Sequence, residues 1–484
     1  MAPNPLPVLH HHLSRRRLLA GAATIAVAGC SSGVSGLSGG GTADTTAGSA
    51  SGSTGSTLPA SGPTTTAGDT GSTTAVAAGA GLWDNTIVHD ISMEYDDAAY
   101  EAIIEAYVNG QEKEWMEATV TIDGSRYEQA GVRLKGNSSL FGLGGGSGAG
   151  QNGPGGSADA ETPHTLPWMI RLDKYVEGQR HDGVAEFIIR SSRSTAALNE
   201  AVALELLGLA GLATERAVHV RFVANGLGPA LRLAVESLDD DWDAVNFADP
   251  GVLYKAESTG DWSYRGEDPE SYDEVFDQET RTDEDLLGPL IGFLDFVNNA
   301  SDFAGELGNH LEVDLFATYL AFETLVNNWD DIDGPGNNSY LRYSEATSRM
   351  TVVAWDHNGA FGGFGGPGGG PGAGGGFPPG GGFPPGDGQV PPGGQVPGDG
   401  QVMPGGGQAG PRGTANPLTT KWAEVDEFTA MVSEADTRLR ADLFTSGAGQ
   451  EILDRMVALL TEQAGELVDA TTLASEAETI AAFF

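Results

Sequence analysis

One cysteine in 484 residues rules out any disulfide within the chain. Lysine is nearly as scarce, limited to Lys113, Lys135, Lys174, Lys255 and Lys421. With 25 basic residues against 67 acidic ones and a net charge of −42, no broad cationic face is available, which excludes nucleic acid and anionic membrane surfaces as partners. The imbalance suits a chain that stays hydrated in high or variable salt, where self-repulsion is screened. Each lysine is then informative, because a solvated surface had arginine to use instead. His89, His164, His181, His219, His310 and His357 show no metal-ligand spacing, and past residue 80 there is no G-x-S-x-G elbow. Zinc-hydrolase and serine-hydrolase chemistry therefore lack their residues.

No stretch past the N-terminus supplies about 20 consecutive apolar residues, so a later membrane-spanning helix is not expected. The N-terminus itself reads SRRRLLAGAATIAVAGC. Arg15, Arg16 and Arg17 after Ser14 resemble a twin-arginine export signal, and Val27-Ala28-Gly29-Cys30 resembles a lipobox whose cysteine is acylated. Residues 1–30 are thus expected to be a signal peptide, with Cys30 as the lipid anchor on the outer face of the cytoplasmic membrane. Residues 31–80 are Gly, Ser, Thr and Ala almost throughout, the composition of a flexible stalk. The remaining residues, 81–484, are expected to form one domain interrupted by disordered Gly/Pro-rich loops at 142–160 and 362–415.

Periodicity changes along that domain. Alternating runs at 87–95, 118–123, 128–134, 168–172, 186–190, 217–224 and 230–235 predict strands, with Asn225-Gly226 as a hairpin turn. Helical spacing at 97–107 and 196–209 joins them, and 284–298, 311–327, 422–433 and 450–473 predict a mostly helical second half. The expectation is an α+β chain with a two-lobed kinase-like fold: an antiparallel-sheet lobe, a helical lobe and a ligand cleft between them.

The second half also carries the clearest chemistry. The run NNSYLRYSEATSRMTVVAWDHNGAFGG predicts strands at 338–343 and 350–355 around a polar turn, placing Asn338 and Asp356 side by side at the open end of one hairpin. An amide oxygen and a carboxylate at that spacing can hold one hard cation. Asp330, Asp331 and Asp333 enter the same end on a Gly/Pro loop. A carboxylate five residues before a metal-binding Asn, followed by a hairpin and a metal-binding Asp, is the order used by phosphoryl-transfer enzymes of the protein-kinase type. DDIDG also resembles part of a calcium loop, but no Glu stands at its twelfth position.

The blocks GVRLKGNSS, PWMIRLDKY, GVLYKAE, NNWDDIDGPGNNSYLRY and WDHNGAFGG, in that order, resemble the spore coat protein H (CotH) kinase family from about Leu82 to Gly363. The resemblance implies a secreted, atypical protein-kinase-like protein that binds ATP with Mg²⁺ and phosphorylates Ser, Thr or Tyr on extracytoplasmic proteins. It also implies Asp356 and Asn338 as metal ligands and a catalytic Asp that is Asp330 by one alignment and Asp333 by spacing from Asn338, with Asp331 still open. Phosphate-contacting candidates are Lys135, Arg133, Lys255 and the backbone around Asn137, with Glu200 as the carboxylate pairing with the cation. Two positions depart from the pattern: Leu166 where many members carry a basic residue, and Arg193-Ser194-Thr195 where they carry an Asp. A second expectation, from a different class, is a non-catalytic surface protein that binds carbohydrate, cell wall or another protein on the same scaffold, with a structural divalent cation.

Overall fold

The computed structural model describes residues 81–484 apart from 137, 141, 144–157, 193, 258, 329, 335, 337 and 363–415. Cys30, the 1–30 signal, the 31–80 stalk, Asn137 and nearly all of the two Gly/Pro-rich loops therefore lie outside the described residues. None of the described helices is long and apolar enough to cross a membrane.

Nine elements form the first half: β1 (His89–Tyr95), α1 (Asp97–Val108), β2 (Met116–Ile122), β3 (Ser125–Leu134), β4 (Trp168–Arg171), β5 (Glu186–Ile189), α2 (Leu198–Leu209), β6 (Ala217–Ala224) and β7 (Leu227–Glu236). The alternating runs form strands because one face of each is apolar: Ile91, Val120, Val132, Trp168, Phe187 and Phe222 are all buried in a single core. Tight turns join neighbours where two consecutive residues tolerate positive φ, as at Asn225 (φ 49°) and Gly226 (φ 75°).

The expected two-lobed kinase-like fold, with its open antiparallel sheet, does not hold. The seven strands close into a barrel in the order β1-β2-β3-β4-β5-β7-β6. Closure comes from a parallel pairing of β1 with β6, His89 opposite Val220 through Met93 opposite Ala224. A barrel leaves no free strand edge, and its interior is filled by the inward side chains of every strand.

The second half comprises α3 (Asp240–Asn246), β8 (Gly251–Ala256), β9 (Phe276–Gln278), α4 (Gly288–Asn299), α5 (Phe303–Glu306), α6 (Val313–Leu325), β10 (Ser339–Ser344), β11 (Met350–Ala354), α7 (Pro417–Ala423), α8 (Asp426–Leu439), α9 (Ala448–Gln463) and α10 (Ala470–Ala481). Helices dominate it, as the periodicity suggests, but it also holds a sheet that the periodicity does not show. The predicted hairpin is there, Ser339 opposite Ala354, but β8 and β9 extend it into an antiparallel sheet in the order β11-β10-β8-β9. This sheet, the helices around it and the outer faces of barrel strands share a second core that includes Ile188, Leu233, Leu253, Phe322 and Leu341. The α+β content of the expectation stands; its division into lobes does not.

Candidate active site

In β5 Phe187 and Ile189 belong to the barrel interior and Ile188 to the outer core, so the alternation sends Arg190 outward. The same alternation in β3 buries Val132 and Leu134 inside and turns Arg133 and Lys135 out. Arg190 is buried at 8% exposure, and its Nε lies 2.9 Å and its Nη2 2.8 Å from Glu200 Oε1, while Nη2 also donates to Asp356. Burial alone would lower the guanidinium, but Asp356 and Glu200 together hold its pKa above the ordinary value. The end of β5 is fixed by Arg232, whose Nε donates to the Arg190 carbonyl at 3.0 Å and whose Nη1 reaches the His164 carbonyl at 2.7 Å.

Glu200 sits in the first turn of α2, where the helix N-terminus favours negative charge. Burial nevertheless raises its carboxyl, with Arg190 pulling the other way and Asp356 adding repulsion. Asn199, one residue earlier, donates to the Asn358 carbonyl at 2.6 Å and so ties α2 to the turn that follows Asp356. Asp356 has a left-handed backbone (φ 66°), a conformation that Asp and Asn tolerate better than most residues. Its side chain keeps 23% exposure.

Trp355 links the cations. The Arg190 guanidinium carbon lies 5.2 Å and Lys135 Nζ 6.0 Å from its ring centroid. Lys135 is pushed down to about 8, mainly by burial and then by the charge of Lys255, with Glu279 opposing. Lys255 lies on β8 opposite Tyr340 of β10 and pairs with Glu257 at 2.8 Å. Its amine stays above the ordinary value because Glu257 and Glu279 outweigh the cost of burial.

The loop between α6 and β10 carries the acidic run. Asp331 is buried, and its Oδ1 accepts from the backbone N–H of Asp333 (3.0 Å) and of Gly334 (2.9 Å), the geometry of a side-chain-closed turn. Burial, then Glu323 and Asp333, raise its carboxyl well above the usual range. Asp330 is partly exposed and Asp333 exposed; surrounding protein raises the Asp333 carboxyl against a hydrogen bond from Thr419. Asn338 is buried directly before β10. One further network links this loop to the residue after Asp356. His357 Nε2 lies 3.1 Å from Glu323 Oε1, and Asn328 Nδ2 donates to Glu323 Oε2 at 2.8 Å. Despite full burial, His357 is raised to about 9 by Glu323, and then by Glu215 and Glu200.

Residues far apart in sequence thus meet where the barrel rim, the start of α2 and the second sheet converge: Lys135, Glu200, Lys255 and Asp356 were all singled out from the sequence. Arg190 was not, although a charged residue closing the apolar run EFII is a visible signal. It takes the carboxylate partner expected for Lys135 or Lys255; Glu200 pairs with Arg190 instead, and Lys255 with Glu257. Arg133 turns away to Trp115, its guanidinium carbon 4.7 Å from the ring centroid, and to the sulfur of Met169. Glu215, Glu323 and His357 were also missed as members of this cluster. A buried acid on a helix reads as a surface charge until its partners are known.

Among the described residues no three His, Cys, Asp or Glu side chains gather as a metal cage. Mg²⁺ commonly takes only one or two protein oxygens and completes its shell with water and substrate phosphate. Asp356, still partly exposed, carries a carboxylate of the kind such an ion takes, but its Oδ1 is held by Arg190, and Asn338 comes to the same end of the hairpin through the register of β10 and β11. Among curated proteins none matches the chain. The family described as CotH kinase protein, by contrast, matches residues 132–479, from within β3 to within α10, and with most of its length covered the chain belongs to that family.

Proposed function

We propose that this protein is an ATP-dependent kinase that transfers the γ-phosphoryl group to a hydroxyl of an extracytoplasmic protein, tethered outside the cytoplasmic membrane through Cys30. Family membership points to kinase-like function, and the observation that carries the finer reading is the gathering of Lys135 and Arg190 around Trp355 beside Asp356, with Lys255 near enough to Lys135 for its charge to act on it. In so acidic a chain, three cations at one locus make a rare place for a polyphosphate. Lys135 and Lys255 serve the phosphates. Arg190, locked by Glu200, holds Asp356 in place. Mg²⁺ bound by Asp356 and Asn338 would neutralise charge on the β- and γ-phosphates. Asp333, exposed and with its carboxyl raised above the ordinary value by the surrounding protein, suits the base that takes the proton of the incoming hydroxyl; the new bond forms from that oxygen to the γ-phosphorus as the bond to ADP breaks. Asp331 is spent on closing its turn.

The test is Asp356→Ala in the full chain, assayed for Mg²⁺-dependent labelling from radioactive ATP alongside circular dichroism. Loss of labelling with the fold intact supports the assignment, and unchanged labelling rejects it. One observation favours the second reading, a non-catalytic surface binding protein: Asp356 and Lys255 already hold partners, Arg190 and Glu257. That reading expects no labelling from wild type under any divalent ion.

A further inference from the structure

Glu323 is an acid of α6 at 1% exposure with no part in the transfer as proposed. Phe316, Tyr319, Phe322 and Leu325 of the same helix are buried with it, and an apolar side chain of similar volume often serves a core as well as a buried ion pair does. What a carboxylate adds is two acceptors with direction. Oε1 lies 3.1 Å from Nε2 of His357, the residue after Asp356, and Oε2 accepts from Asn328 Nδ2 at 2.8 Å, at the entry of the loop that carries Asp330 and Asp333. The other polar atom of each of those side chains, His357 Nδ1 and Asn328 Oδ1, has no hydrogen-bond partner among the described residues. Glu323 is therefore the anchor of both.

Backbone bonds converge on the same end of α6. The Asn328 N–H donates to the Glu323 carbonyl at 2.9 Å, and the Phe361 N–H, at the far side of the turn after Asp356, donates to the Val326 carbonyl at 2.6 Å. Tyr319 stands one turn before Glu323 on the same helical face, and its hydroxyl accepts from the Ile332 N–H at 3.3 Å. Both acidic segments thus hang from one helix, and Glu323 is the side chain bonded to both. In phosphoryl transfer the base and the metal-binding carboxylate must keep a fixed separation, because the attacking oxygen and the transferred group lie in line between them. We propose that Glu323 is a positioning residue of the phosphoryl-transfer site, its two oxygens setting the distance between the loop of Asp330 and Asp333 and the turn of Asp356. The role rests on the kinase reading and adds to it the device that holds the two acidic segments in register.

Initial rates of Mg²⁺-dependent ADP release from ATP, with dephosphorylated casein or water as acceptor, test the role in full-length wild type, Glu323→Met and Glu323→Gln. Methionine keeps the volume and removes both bonds, whereas glutamine keeps an oxygen for Asn328 and offers an N–H to the His357 ring. Glu323→Met should lower kcat about 100-fold, the scale of a misplacement of about 1 Å. KM for ATP should stay within about threefold of wild type, since Lys135 and Lys255 are untouched. Glu323→Gln should restore kcat to within about tenfold of wild type. Circular dichroism checks both folds; if methionine does not fold, Asn328→Ala, which severs one side of the bridge, takes its place with the same expected split. Hydrogen–deuterium exchange supplies a readout apart from turnover: the segments at Asn328 and at His357 should exchange faster together in Glu323→Met and in neither case in Glu323→Gln. A folded Glu323→Met with wild-type kcat, a loss confined to KM, glutamine as impaired as methionine, or faster exchange in one segment alone overturns the role while the kinase reading stands. A wild type that releases no ADP under any divalent ion defeats the kinase reading and the role with it.

Discussion

Arg190→Met asks whether the buried ion cluster is organised as described. Methionine keeps the length and apolar stem of arginine but removes the guanidinium, and with it the two contacts to Glu200 Oε1 and the one to Asp356. The consequences for the two carboxylates differ. Asp356 retains 23% exposure and can hydrate, whereas Glu200, at 4%, stays buried with only the charge of His357 to support it. Removing one partner of such a pair costs about 3–5 kcal/mol, most of it the penalty of the charge left behind. The cheapest escape for Glu200 is to take up a proton, and burial already pushes its carboxyl in that direction. The variant's loss should therefore be larger at pH 7.5 than at pH 5, where protonation is easier. Adding Glu200→Gln to Arg190→Met should recover part of the loss, because the stranded charge is gone. Equilibrium guanidinium unfolding, followed by circular dichroism and fluorescence to check two-state behaviour, measures the four proteins of the cycle: wild type, Arg190→Met, Glu200→Gln and the double variant. A loss below about 1 kcal/mol, or the full cost of Glu200→Gln reappearing in the Arg190→Met background, would refute the idea that Arg190 neutralises Glu200.

His357, raised to about 9 from an unfolded value near 6.5, contributes stability that is fully present below about 6.5 and lost as pH climbs through 9, on the order of 3 kcal/mol in all. The stability gap between wild type and His357→Gln should shrink between pH 6 and 9.5, and a gap independent of pH would remove the charged histidine from the account. Lys135 titrates near 8, so ATP affinity measured by calorimetry should fall as pH rises through that value in wild type but stay flatter in Lys135→Arg, which remains charged; parallel profiles count against Lys135 as a phosphate contact. Asp331→Asn keeps the oxygen that closes the turn and should preserve both fold and labelling, while Asp331→Ala loses two hydrogen bonds, about 1–3 kcal/mol. Asp333→Asn should abolish labelling, and labelling that fails in Asp331→Asn but survives in Asp333→Asn would transfer the catalytic role to Asp331.

What was legible in the sequence and what was not divides along the range of the interactions involved. Strand and helix positions in the first half follow from side chains a few residues apart, and the Asn225-Gly226 turn and the 339–354 hairpin are local decisions that glycine, asparagine and alternation make unaided. Closure of the barrel is not local. It depends on His89–Met93 meeting Val220–Ala224 across more than a hundred residues, in a parallel register that no short pattern encodes. The short strand Phe276–Gln278 is likewise defined by its neighbour Gly251–Ala256 and not by its own three residues. The candidate site follows the same division. Lys135, Glu200, Lys255 and Asp356 stand out by residue type and motif, but which cation meets which carboxylate is settled by the outward turn of Arg190 at the end of β5, a consequence of which barrel face Ile189 occupies. Lysine scarcity pointed to Lys135 and Lys255, but Glu200 pairs with Arg190 and Lys255 with Glu257. A guanidinium offers two donors at a fixed angle to one buried oxygen and a third to Asp356, so arginine can bridge two carboxylates where a single ammonium on a flexible stem would satisfy them less well.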